Sequence, residues 1–178
     1  MLDSSSAIEN PTVEARWIVE RATGRSHAEL VGFDPELPPD VVARAEVFAR
    51  RRTAGEPLQY IVGRAGFRTL ELEVGPGVFI PRPETEVVAG RAMELLPQNG
   101  TIVDVGTGSG AIALAVAAER PDASVYATER SAEALSWARR NAQRLDLGVT
   151  FAQCAYLDDL PERLRGRVDV VVSNPPYV

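Results

Sequence analysis

Apolar residues in the first third of the chain recur at helical spacing, whereas further on they gather into short runs that read as strands. From Thr12 to Ala22, Val13, Trp17, Ile18 and Arg21 follow the helical period, with Trp17 as the expected core anchor. Ser26 suits an N-cap before Ala28-Glu29-Leu30. Pro35, Pro38 and Pro39 make a turn, and Asp40 is expected to cap a third helix carrying Val41, Val42, Ala45 and Phe48. Phe67 to Val74 alternates apolar and polar residues, as a half-buried strand does. Gly75-Pro76-Gly77 then turns the chain, and Val78-Phe79-Ile80 is expected to return as the second arm of a hairpin. Glu84 to Leu96 reads as a helix with acids in its first turn. After Gly100 come four βα repeats of decreasing completeness, with strands near 101–105, 124–128, 149–153 and 168–173. Such alternation predicts a parallel sheet with right-handed crossovers. The 111–118 helix is apolar all round and should be covered on most sides, while the helix from Ser131 to Leu145 keeps Ala134, Leu135, Ala138, Ala142 and Leu145 on one face.

Composition narrows the classes that this pattern can serve. At 45% hydrophobic and 25% charged, the chain is an ordinary globular sequence. Acids outnumber bases 25 to 19, giving a net charge of −6, and every base is arginine. An acidic surface argues against a direct nucleic-acid substrate, because phosphate neutralisation supplies most of such affinity. The single cysteine, Cys154, excludes an internal disulfide and fits a reducing cytoplasm. Met1 to Asn10 is polar and acidic, unlike a secretory leader, and no apolar run reaches membrane-spanning length. The run Arg50-Arg51-Arg52 reads as the solvated last turn of a helix. His27 has no Cys, Asp or second His at ligand spacing, so no metal centre is expected.

Two motifs carry chemistry. Val103-Asp104-Val105-Gly106-Thr107-Gly108-Ser109-Gly110 is a strand and a tight glycine turn that opens a helix. Glycines let the backbone approach a ligand, and the helix amides offer donors to a carboxylate or phosphate. The spacing is G-x-G-x-G and not the dinucleotide G-x-G-x-x-G, and Asp104 ahead of it suits a ligand bearing an ammonium group. Glu129, 23 residues after Gly106, ends the next strand, where an acid accepts hydrogen bonds from ribose hydroxyls. The second motif is Asn174-Pro175-Pro176-Tyr177, straight after the β-branched run Val168 to Ser173. Two prolines cannot continue a central strand, so the chain breaks out there, freeing the Asn174 side chain and the Pro175 carbonyl to face a cleft.

Together these motifs resemble the class I S-adenosylmethionine-dependent methyltransferases that act on planar amino groups. Gly55-Glu56-Pro57-Leu58-Gln59-Tyr60-Ile61-Val62-Gly63 and Val78-Phe79-Ile80-Pro81-Arg82-Pro83-Glu84-Thr85-Glu86 look like the signature of the release factor glutamine N5-methyltransferases, the HemK/PrmC family. The resemblance implies an α/β chain with a Rossmann-like methyltransferase domain over 83–178, preceded by a helical substrate-recognition domain over 1–57 and a β-hairpin linker over 58–82. It implies S-adenosylmethionine as cofactor, held by Asp104, Gly106, Thr107, Gly108, Ser109, Gly110, Glu129, Tyr156 and Asn174. Asn174, Pro175 and Tyr177 would be catalytic, the first two accepting the N–H groups of the substrate amide and Tyr177 packing on its plane. Pro176, Phe79, Pro81 and Arg82 would complete the substrate site, and Pro81-Arg82-Pro83 reads equally as an interdomain elbow. The implied acceptor is the glutamine in the Gly-Gly-Gln loop of peptide chain release factors 1 and 2, in the cytoplasm and without membrane.

The chain departs from the family in two places. Cys154-Ala155 stands where members carry an acid for the adenine amino group, leaving Tyr156 to supply a ring face. Members also run on well past the Asn-Pro-Pro-Tyr motif. The run 168–173 is apolar on both faces and so expects cover on both sides. Ending at Val178 would leave it an exposed edge, with poor solubility or dimerisation and low activity expected of an incomplete domain. An adenine or cytosine amino-methyltransferase of nucleic acids, and a cofactor-binding fragment without catalysis, remain as alternatives.

Overall fold

The computed structural model describes residues 10–30 and 36–175. Pro35, Pro176 and Tyr177 therefore lie outside the described residues. The chain divides into two compact units, Met1–Gly63 and Arg64–Val178.

The first unit is helical: α1 (Pro11–Thr23), α2 (His27–Leu30), α3 (Pro39–Thr53) and α4 (Leu58–Val62). Asn10 caps α1 by accepting the Val13 N–H at 3.2 Å, and Gly24, in the left-handed region at φ 71°, closes it. Ile18, Leu58 and Val62 form a small core, with Trp17, Ala45 and Phe48 packed at its margin. Ile18 is thus the anchor in place of Trp17; an indole is too large for so thin a core and stays half-buried. Asp40 does not cap α3. Pro38 occupies the cap, and Asp40 sits inside the first turn, 3.4 Å from Arg44. The arginine run also departs from expectation. Arg52 is buried and its Nε lies 2.6 Å from Glu14 Oε2, tying α3 to α1, while Arg51 Nε donates to Glu56 at 2.7 Å.

The second unit opens with a hairpin, β1 (Arg64–Phe67) and β2 (Leu70–Glu73), paired antiparallel. The expected single strand over 67–74 is folded back at Arg68-Thr69, and 78–80 is not a strand. Arg68 takes the left-handed conformation at φ 51°, held there by what it grips. Its guanidinium donates twice to the Glu119 carboxylate, at 2.7 Å each, and its N–H donates to Glu86 at 3.0 Å. The Gly75-Pro76-Gly77 turn serves close packing: a Cβ on Gly75 would stand 2.6 Å from the Trp137 ring. Trp137 Nε1 donates to the Pro76 carbonyl at 3.2 Å.

There follow α5 (Pro83–Leu95), β3 (Thr101–Val105), α6 (Ala111–Glu119), β4 (Ser124–Thr128), α7 (Ala132–Leu145), β5 (Thr150–Ala152) and β6 (Val170–Ser173). The four strands form one parallel sheet in the order β5-β4-β3-β6. Ala111 to Val116 of α6 are all buried, as their uniform apolarity requires, against Phe67, Leu72, Ile102, Val125 and Ala127. Arg120 closes the far end of α5: its guanidinium donates to the carbonyls of Met93, Leu96 and Pro97 at 2.9–3.0 Å and pairs with Asp122. β6 stands at the edge of the sheet, with the uncovered face expected of this run there. Val172 is buried on one face, but Val171 on the other is 54% exposed. No described helix is long and apolar enough to cross a membrane.

Candidate active site

Parallel pairing brings the carboxyl ends of β3, β4 and β6 to one edge of the sheet. β3 runs into the glycine turn, where Gly106, Gly108 and Gly110 all have positive φ, at 73°, 58° and 88°. A Cβ at Gly106 or Gly108 would meet nothing within 4 Å, whereas one at Gly110 would strike Leu114. The outer turn is therefore open to a ligand and its inner end is sealed against α6.

Each neighbouring element braces that turn. The Thr128 carbonyl at the end of β4 accepts the N–H groups of Gly106 and Thr107 at 2.8 and 3.0 Å. Glu129 accepts from Gly108 N–H at 3.0 Å and Ser131 N–H at 2.9 Å. Asn141, fully buried on α7, donates to the Ser109 and Glu73 carbonyls at 3.0 Å each and accepts the Glu73 N–H at 2.7 Å. All three bonds need this amide orientation, so Asn141 locks the turn to β2.

Asp104 is almost wholly buried, and its Oδ2 accepts from the Thr107 hydroxyl at 2.6 Å and the Ala113 N–H at 3.2 Å. Its Oδ1 has no hydrogen-bond partner among the described residues. Burial pushes its pKa up to about 6, opposed by those two hydrogen bonds and assisted by the nearby Glu129 charge. Where a carboxylate is kept this dry with one oxygen unspent, a cation or donor arriving beside it gains a strong partner. Glu129 is half-buried and already accepts two N–H groups, yet a carboxylate has about four acceptor sites. Capacity for ligand hydroxyls therefore remains.

At the end of β6, Ser173 stands level with Val105 in the register, and its hydroxyl donates to the Val105 carbonyl at 2.7 Å. Asn174 follows immediately, so it lies beside the start of the glycine turn. Its Nδ2 donates to the Thr85 hydroxyl at 2.7 Å, so the side chain is fastened to the first turn of α5 and not left free. Pro175 is exposed. Arg82 occupies the N-cap of α5 and accepts the Thr85 N–H on its carbonyl at 3.0 Å, which links the Pro81-Arg82 segment to the same corner. Phe79, 75% exposed, stands outside it. Tyr156 is 70% exposed on the loop after β5; the neighbouring Cys154 is buried, with its Sγ 3.6 Å from the Tyr156 carbonyl oxygen. Among the described residues no cluster of three or more His, Cys, Asp or Glu could hold a metal.

Sequence reasoning missed Thr85 and Asn141. Asn141 carried a signal: it falls at helical spacing from Ala134 and Ala138, a polar residue on an apolar face. Thr85 lay within the quoted Pro81-to-Glu86 run, but its partner is 89 residues away.

A parallel sheet with a braced glycine turn after its first strand, an acid at the tip of the second and a proline break after the fourth defines a class I methyltransferase fold. The Methyltransferase small domain family matches residues 76–178, and the PrmC N-terminal domain matches residues 2–63. The chain belongs to the Methyltransferase small domain family. Among similar proteins, the "Release factor glutamine methyltransferase" of Streptomyces coelicolor is 53% identical over 183 aligned positions, covering 98% of this chain and 62% of that protein. Proteins of the same name from Mycolicibacterium smegmatis and Neisseria gonorrhoeae are 43% and 42% identical, covering 98% and 94% of this chain. The chain thus spans 62% of the length of these curated relatives. The solved 16S rRNA N2 G1207 methyltransferase of T. thermophilus, bound to AdoMet and guanosine, matches at a TM-score of 0.55 and 22% identity, covering 65% of this chain and 32% of that one; it shares the fold.

Proposed function

We propose that this chain is the cofactor-binding and substrate-orienting part of a release factor glutamine methyltransferase. It would transfer a methyl group from S-adenosylmethionine to the glutamine amide of the Gly-Gly-Gln loop in peptide chain release factors 1 and 2, in the cytoplasm. The observation that carries this reading is the register of Val105 against Ser173, which sets Asn174 beside the open glycine turn. The relatives named above supply the acceptor class.

The residues fit the cofactor. S-adenosylmethionine carries two cationic centres, and beside the turn the site places the buried Asp104 carboxyl and the half-buried Glu129 carboxylate. Gly106 and Gly108 leave the turn open to its methionine end, Thr107, Ser109 and Gly110 shape that turn, and Glu129 has acceptor sites left for ribose hydroxyls. Tyr156 would cover the base, where the acid-free Ala155 offers nothing. Bound there, the cofactor supplies an electrophilic methyl group on a sulfonium.

An amide nitrogen is a poor nucleophile, because its lone pair is delocalised into the carbonyl. The protein's task is orientation. Asn174 Oδ1 and the Pro175 carbonyl each accept one N–H of the substrate amide, Pro176 and Tyr177 exclude water, and Phe79, Pro81 and Arg82 contact the incoming loop. Holding reactants in line contributes up to roughly 7–11 kcal/mol to such a reaction. The nitrogen gains the methyl carbon as the methyl–sulfur bond breaks, the electron pair staying on sulfur as a neutral thioether, and it gives up one proton, which passes to solvent without a dedicated base. The test is transfer of labelled methyl from S-adenosylmethionine to a release factor, to the same factor with its Gly-Gly-Gln glutamine changed to alanine, and to DNA or RNA. Label only in the unaltered factor supports the proposal; label in nucleic acid, or in none, overturns it.

A further inference from the structure

The Asn174 side chain has to present an acceptor, and not a donor, to an incoming N–H. A terminal amide does not choose by itself. Its χ2 well is broad and roughly two-fold, so an unsupported asparagine offers Oδ1 or Nδ2 to the same point in space. In the structure Thr85 anchors the nitrogen side of that amide. Its hydroxyl lies 2.7 Å from Asn174 Nδ2, and Thr85 itself is buried, on the third residue of α5. Because the amide is planar, holding Nδ2 against α5 turns Oδ1 the other way, and no described residue donates to that oxygen.

The corner that carries Thr85 is itself fixed. The Thr85 N–H is bonded to the Arg82 carbonyl at 3.0 Å, and Pro83 restricts the start of the helix. The next residue, Glu86, is gripped twice by Arg68, through its carboxylate at 3.0 Å and its carbonyl at 3.2 Å. Arg68 is anchored in turn on Glu119 of α6, the helix that the glycine turn opens. A threonine hydroxyl in this setting does more than fill space: valine would fill it equally and leave the Asn174 amide without its anchor.

We infer that Thr85 is a positioning residue which anchors the Asn174 amide through Nδ2, leaving Oδ1 for the substrate nitrogen. The inference rests on the proposed role of Asn174, and the experiment separates the two. Thr85→Val, Thr85→Ser and Asn174→Ala are compared with the parent for cofactor affinity, acceptor KM and kcat, and for side-chain amide NMR signals in asparagine-labelled protein. The chain has only four asparagines, so Asn174→Ala assigns its own signal. In Thr85→Val the Asn174 signal should lose its hydrogen-bonded shift and slow exchange, and kcat should fall about tenfold, the value of one hydrogen bond, with cofactor affinity and KM unchanged. Thr85→Ser should restore both. An unmoved amide signal in Thr85→Val overturns the inference, as does unchanged kcat when Asn174→Ala is inactive. Parent-like turnover in Asn174→Ala, or a parent without transfer, overturns the reading of Asn174 instead, while the amide signal still decides whether Thr85 holds it.

Discussion

The two units are held together by different means. Among the described residues the helical unit gathers only Ile18, Leu58 and Val62 into its core cluster, with Ala22, Val41 and Ile61 also buried, and α1 is tied to α3 by a buried ion pair, Arg52 on Glu14. The α/β unit packs Phe67, Leu72, Ile102, Leu114 and Val116 into a continuous core and keeps most of its buried polar side chains, Asp104, Thr107, Ser109, Thr128 and Asn141, around the glycine turn. A small unit buries too little surface to rely on apolar packing alone, and its stability then depends on paired polar contacts. A larger one can restrict buried polarity to the site.

The sharpest way to break this contrast is Arg52→Ala. Removing one partner of a buried pair costs about 3–5 kcal/mol, so hydrogen exchange of α1 and α3 amides should accelerate accordingly. The double change Arg52→Met with Glu14→Leu should recover most of that loss; continued fast exchange would mean the pair itself is indispensable. Leu114→Ala is the counterpart in the other unit and should cost about 3 kcal/mol, read from β3 and β4 amides. A smaller effect for Arg52→Ala than for Leu114→Ala would reverse the comparison.

Next in size is a pH effect confined to the α/β unit. The Asp104 pKa, about 6, lies above the ordinary aspartate value. The stability tied to its protonated form is thus fully present below about pH 4 and lost as pH rises through 6. Asp104→Asn should flatten that slope, shifting the difference from the parent by about 2–3 kcal/mol between pH 4 and pH 7. A constant difference across that window would show that burial does not perturb this carboxyl. The smallest effect expected is on ligand affinity: Glu129→Ala should weaken S-adenosylmethionine binding by about 1–3 kcal/mol, as calorimetry would report. Unchanged affinity would reduce Glu129 to a brace for Gly108 and Ser131.

The same contrast explains what could be read in the chain beforehand. The parallel sheet was legible because strand runs and the apolar α6 repeat in order, and the glycine turn because its φ values admit little else. The hairpin was not. Its reversal falls on Arg68-Thr69, which carries no turn signal, while Gly75-Pro76-Gly77 does turn but returns no strand, with Gly75 packed on the Trp137 ring and Gly77 at φ 87° against Glu133. Local chemistry cannot show that Arg68 is bent by anchors on Glu86 and Glu119. Nor can it separate Arg52, which is buried, from Arg50, which is exposed, within one run of three. Within the candidate site, the positions of Asp104, Glu129 and Asn174 were legible, but not the burial that leaves Asp104 Oδ1 unspent.

The arginine forks on Glu14, Glu119 and the end of α5 have a practical consequence. Each uses several N–H groups of one planar guanidinium at once, a geometry that an ammonium cannot copy. With all 19 basic residues arginine, the chain holds no side-chain primary amine. Succinimidyl dyes, amine cross-linkers and acetyl donors aimed at lysine therefore find no side-chain target in it, so any amine-directed mass shift in a mixture with an acceptor protein, apart from an α-amino group, reports on the acceptor alone.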